Sequence, residues 1–78
     1  MLEVKILLES IERVKKFVAI TSQYDADFDL ISGRYIIDAK SILGIFSINL
    51  SKPVGLRIYA EQDEAEEILE GLKEYIVG

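Results

Sequence analysis

Ser41 is the residue through which this chain could most readily do chemistry. It stands in Asp38-Ala39-Lys40-Ser41-Ile42-Leu43-Gly44-Ile45-Phe46-Ser47-Ile48-Asn49-Leu50, directly before a compact apolar run. A serine there can accept a hydrogen bond from an orphan backbone N–H of a helix beginning at Ile42, and Gly44 allows close backbone approach. A phosphate on its hydroxyl would meet unpaired N–H groups and the positive end of the helix macrodipole, so modification is tolerated and can alter a partner surface. The plain alternative is an ordinary N-cap, which on chemistry alone is far commoner.

The remaining candidates are weaker. None of the 78 residues is histidine, which removes the usual general base, metal ligand and phosphoryl acceptor together. Ser10 could be imagined as a nucleophile, but no histidine can activate it and a helix cap accounts for it. Asp25, Asp27 and Asp29 have the spacing that opens a calcium loop. Leu30, however, occupies the position that needs glycine, and Ile36 the one that needs a bidentate glutamate. Arg13, Lys15 and Lys16 could attract an acidic partner, although three charges on a helix exterior are more often a solvated face. The carboxylates from Glu61 to Glu74 are read the same way. No metal site and no cofactor is expected, and the chain is not expected to be an enzyme.

Composition narrows the partners. A chain of 78 residues reads as a single domain, 1–78, able to bury roughly 60% of its unfolded surface. Nine basic against fourteen acidic residues give a net charge of −5, which discourages binding to phosphate backbones. Nucleic acid is therefore not an expected partner. The apolar runs are short and broken by charges, so neither a membrane span nor a secretory segment is read, and the default is a cytoplasmic protein. There is no cysteine, hence no disulfide or thiolate zinc site to compensate for small size.

The elements that position Ser41 follow from periodicity. From Leu2 to Leu8 apolar residues alternate with Glu3 and Lys5, placing Leu2, Val4, Ile6 and Leu8 on one face of a first strand, and Ser10 caps a helix predicted from Ile11 to Gln23. Ala26, Phe28 and Leu30 alternate with aspartates as a second strand. Ser32-Gly33 turns it into a third strand, in which Tyr35, Ile37 and Ala39 share a face, and this makes an antiparallel hairpin. A second helix is predicted from Ile42 to Leu50, stopped by Ser51-Lys52-Pro53. Gly55 to Ala60 is a fourth strand, with Leu56 and Ile58 inward. Asp63 and Glu66 make a capping-box-like start to a final helix whose buried stripe is Ala65, Ile68, Leu69, Leu72 and Ile76. The order βαββαβα suits an α+β open-faced sandwich, a four-stranded antiparallel sheet covered on one face by three helices.

That order, together with Asp38-Ala39-Lys40-Ser41-Ile42-Leu43-Gly44-Ile45-Phe46-Ser47, resembles the histidine-containing phosphocarrier family, HPr, of the bacterial phosphoenolpyruvate-dependent sugar phosphotransferase system. In that family a lysine, a serine, two apolar residues and a glycine lead into the second helix, and the serine is phosphorylated by an ATP-dependent kinase. The matching residue is Ser41. Gln23-Tyr24-Asp25-Ala26-Asp27-Phe28-Asp29-Leu30 is similar to the family's passage from first helix to second strand. The same ungapped register puts Ser10 where the family has its phosphoryl-carrying histidine, Glu12 at its arginine and Arg13 at its proline. The resemblance thus implies a variant unable to carry phosphohistidine, similar in that respect to the catabolite-repression type.

The expected role is regulatory, through protein contacts at Ser41 and the second helix. Ile42, Leu43 and Phe46 are the expected exposed docking residues, with Lys40 and Arg13 beside them, and Ile45, Ile48 and Leu50 can fill the core. The resemblance implies an HPr kinase or a transcription regulator as partner. The alternative is a structural or homo-oligomeric interaction module, monomer or homodimer, built through the apolar second helix or an exchanged first strand, with Ser41 only a cap.

Overall fold

Period-two alternation builds the sheet, and the turn residues between apolar runs set its order. The computed structural model describes residues 1–77; Gly78, the last residue of the expected domain, lies outside the described residues. In chain order the elements are β1 (Leu2–Ile6), α1 (Ile11–Thr21), β2 (Asp27–Ser32), β3 (Tyr35–Asp38), α2 (Ile42–Ile45), β4 (Val54–Tyr59) and α3 (Gln62–Gly71). The strands form one antiparallel sheet in the order β1-β4-β2-β3. The α+β architecture is the expected one, with the helices collected on one face.

Alternation decides which side of each strand meets them. Phe28 and Leu30 of β2, Leu56 and Ile58 of β4 and Ile6 of β1 are buried beneath Val14 and Phe17 of α1, Ile45 of α2, and Ala65 and Ile68 of α3. Glu3, Arg57, Asp29 and Tyr59 lie on the open face, where Arg57 Nε donates to Glu3 Oε1 at 2.8 Å and Tyr59 donates to Asp29 at 3.1 Å. The β2–β3 hairpin closes through a Ser32–Tyr35 pair around Gly33, whose φ of +60° needs a residue without Cβ. The one buried polar side chain among the described residues, Thr21, is satisfied by the carbonyls of Val18 and Ala39.

Several boundaries differ from the expected ones, and at both helices the cause is a local switch to tighter turns. β1 ends at Ile6, not Leu8, where its partner β4 begins at Val54; Leu8 stays buried outside the strand. α1 ends at Thr21, before the expected Gln23, where Gln23 and Tyr24 bond only three residues back. α2 covers one turn instead of Ile42 to Leu50. Ser47 and Ile48 bond three residues back to Gly44 and Ile45, and the Asn49 side chain then accepts from Ser51 N–H and Oγ.

The capping box expected at Asp63 and Glu66 is absent. Glu61 is the N-cap of α3 without a side-chain bond, and Asp63 and Glu64 fall in the first turn, where carboxylates favour the dipole. Ile76 leaves the helical stripe to form a bridge with Ile6, and Tyr75 is buried in its place.

Candidate functional site

Two serine-capped helix starts carry the candidate residues. At α1, Ser10 Oγ accepts from Arg13 N–H at 3.2 Å, and Ser10 N–H donates to Leu8 O at 2.9 Å. That second bond closes a three-residue turn around Glu9, whose φ of +74° is a conformation that costs a non-glycine residue on the order of 1–3 kcal/mol.

The Arg13 guanidinium holds the turn. Nε donates to Leu8 O at 2.8 Å, and Nη2 donates to Leu7 O at 3.0 Å and Glu74 O at 3.1 Å. It also lies 4.5 Å from the Tyr75 ring centroid, with the Glu9 carboxylate 3.8 Å away. Tyr75 returns the contact, donating its hydroxyl to Arg13 O at 3.3 Å and standing edge-on to Phe17. Burial pushes the Tyr75 phenol up from its ordinary value, Glu74 adds to the rise, and Arg13 opposes it.

The solvated-face expectation is therefore corrected for Arg13. Its planar fork is occupied by backbone carbonyls, and only Lys15 and Lys16 of that group are exposed on α1. The sequence reading assigns Tyr75 no role. A signal existed, because Ile68, Leu72 and Tyr75 continue the helical spacing as well as Ile76 does.

At α2 the arrangement is open. Ser41 is exposed; its Oγ accepts from Gly44 N–H at 3.3 Å and its N–H donates to Asp38 O at 3.0 Å. Lys40 is half-buried, with Nζ donating to Tyr24 O at 2.7 Å and lying 5.6 Å from the Phe28 ring centroid. Gly44 fits because α2 packs closely on β3: a Cβ there would come within 2.8 Å of Ile37 Cγ2. Ile45 is fully buried, Ile42 is half-buried against the core, Leu43 is 80% exposed and Phe46 38% exposed. Ile48 and Leu50 pack partly against the core. The two regions meet through the segment after α2, where Glu9 N–H donates to Leu50 O at 2.8 Å.

Ser10 and Ser41 are both exposed and each Oγ accepts one capping N–H; they differ in their surroundings, Arg13 and Tyr75 at α1, Leu43 and Phe46 at α2. Among the described residues no group of three or more histidine, cysteine, aspartate or glutamate side chains is disposed to hold a metal ion, and no helix is long and apolar enough to cross a membrane.

Comparison with known proteins places these features in a family. The family model described as the PTS HPr component phosphorylation site matches residues 12–77, starting just after Ser10. No curated protein matches the sequence. Among solved structures, HPr-C-His from Thermoanaerobacter tengcongensis is 27% identical, with 95% of this chain and 92% of that one covered and a TM-score of 0.76. The phosphocarrier protein HPr from Bacillus anthracis is 23% identical, with coverage of 97% and 96% and a TM-score of 0.74. The Bacillus subtilis catabolite repression protein Crh, described as a swapped, intertwined dimer, is 24% identical, with coverage of 99% and 90% and a TM-score of 0.67. The last two share the fold.

Proposed function

This chain belongs to the HPr phosphocarrier family of the phosphotransferase system, and from that premise we propose that it is a non-enzymatic, cytoplasmic, single-domain regulator acting through protein contacts at Ser41 and α2. It does not carry phosphohistidine. None of its residues is histidine, and a phosphate on Ser10 would be an ester without the transfer potential of a phosphoimidazole. The observation that carries the reading is the juxtaposition at α2 of an exposed capping serine with exposed Leu43 and Phe46.

Phosphorylation at Ser41 is the regulatory step of this reading. The hydroxyl oxygen forms a bond to the γ-phosphorus of ATP as the bond to ADP breaks, and the hydroxyl proton passes to a base on an HPr kinase. The new dianion lies at the Gly44 N–H, beside Leu43, so the modified residue and the apolar patch form one surface for a transcription regulator. Lys40 and Ile42 support that surface from the half-buried side, while Arg13 serves it only at a distance by fixing the turn before α1.

Incubation with an HPr kinase and ATP, followed by mass spectrometry, tests the reading. One phosphate on the wild type and none on Ser41→Ala is expected. No phosphate on either protein would overturn regulation at Ser41, and an acid-labile phosphoprotein formed from phosphoenolpyruvate and Enzyme I would overturn the loss of carrier chemistry.

A further inference from the structure

The two edges of the sheet are finished differently. On β1, the residues after α3 cover the outer edge: Ile76 bridges Ile6, Val77 N–H donates to Lys5 O at 2.9 Å, and Leu7 N–H donates to Tyr75 O at 2.8 Å. No such segment lies along β3 among the described residues, since β2 is its one sheet neighbour. Ala39 N–H bonds Phe28 O, so ladder alternation assigns the inward bonds to Tyr35, Ile37 and Ala39 and directs the N–H and C=O of Ile36 outward. Asp38 obeys the same alternation, its carbonyl turning away from β2 to accept from Ser41 N–H.

Edge strands are blunted against self-pairing by short length, charges, proline or a bulge, and of these β3 has only its four-residue length and the charges at its ends. Here the segment reads Arg34-Tyr35-Ile36-Ile37-Asp38, with Tyr35 67% and Ile36 62% exposed. We propose that β3 is a self-association edge, and that a second copy of this chain pairs with it antiparallel about a two-fold axis at Ile36.

That register is self-complementary across β3 as far as Asp38, whose outward carbonyl is already taken by Ser41 N–H. The two Ile36 residues exchange both backbone bonds, and each Tyr35 falls opposite Ile37 of the second copy. Each Arg34, in the turn just before β3, comes near an Asp38 at the end of the second copy's strand, a carboxylate that accepts from Lys40 N–H through Oδ1. Among the described residues Arg34 forms no ion pair within its own chain. A shallow hollow lined by Tyr35, Ile36, Ile37, Ser47 and Ile48 flanks the edge, where the incoming tyrosine lies against Ile37. The segment is neutral although the chain carries −5, so the net repulsion between copies is not concentrated at the contact. The pairing is small, below about 1,200 Å², and the dimer is accordingly weak.

Sedimentation equilibrium up to about 1 mM protein tests this. The wild-type mass should rise towards that of a dimer, and Arg34→Asp and Asp38→Arg should each weaken association by about tenfold or more, because each sets like charges opposite one another twice. An equimolar mixture of the two variants should recover the dimer, since every pair then has opposite signs. This arm also separates lost charge complementarity from lost folding, because a chain that fails to fold is not rescued by mixing. A wild type that stays monomeric, a dimer indifferent to both substitutions, or a mixture no heavier than its components would each overturn the proposal.

Discussion

Serine caps both α1 and α2 with the same side-chain bond to the residue three positions on, yet the two helix starts are opposite in character. Ser10 opens an eleven-residue helix and sits beside a strained Glu9, over which Arg13 reaches three carbonyls and Tyr75. Ser41 opens a four-residue helix that buries Ile45 and half-buries Ile42 but leaves Leu43 and Phe46 exposed. A cap alone therefore says little about use. At α1 the Arg13 guanidinium is consumed in fixing a turn, while at α2 the capping serine stands beside an outward-facing apolar patch.

Removing the clamp should break the comparison most strongly. Arg13→Met keeps the apolar stem over Tyr75 but leaves three carbonyls without their charged donor, and should cost about 2 kcal/mol in urea unfolding. A loss near zero would mean that the turn holds itself. The caps give the next effect. Ser10→Ala should cost about 1 kcal/mol, and Ser41→Ala less than about 1 kcal/mol because only one exposed turn depends on it. Equal losses would show that α2 is as deeply anchored as α1.

The smallest effect is a pH slope confined to the α1 end. With the Tyr75 phenol raised by burial from an ordinary value near 10.0, the folded state holds its proton where the unfolded state releases it. The stability this contributes is complete below the ordinary value and is lost as pH rises through the raised one. Thermal melts from neutral to strongly alkaline pH should show that decline in the wild type and a shallower one in Tyr75→Phe. Identical profiles would exclude Tyr75 as the source.

Much of the fold was legible because its signals are local. Phe28 and Leu30 against Asp27 and Asp29, and Leu56 and Ile58 against Arg57 and Tyr59, state the sheet's two faces directly. Gly33 marks the hairpin and Gly44 the close approach of α2. The extent of α2 was not legible: an apolar run from Ile42 to Leu50 has helical composition throughout, and only the bonds at Ser47, Ile48 and Asn49 end it early. The role of Arg13 is hidden for a different, long-range reason. On its own helix it stands beside Lys15 and Lys16, and nothing nearby in sequence announces the Glu74 carbonyl.

By itself, the sequence determined the order of strands and helices, the serine caps, and the exclusion of any imidazole chemistry, because periodicity, capping and composition are properties of neighbouring residues or of simple presence. The tertiary structure decided that Arg13 would clamp the turn before α1, that Ile45 would be buried while Leu43 is exposed, and that the β1 edge would be covered while β3 stays open. Each of those depends on chain segments far apart in sequence, Arg13 with Glu74 and Ile6 with Ile76, meeting only once the sheet has folded.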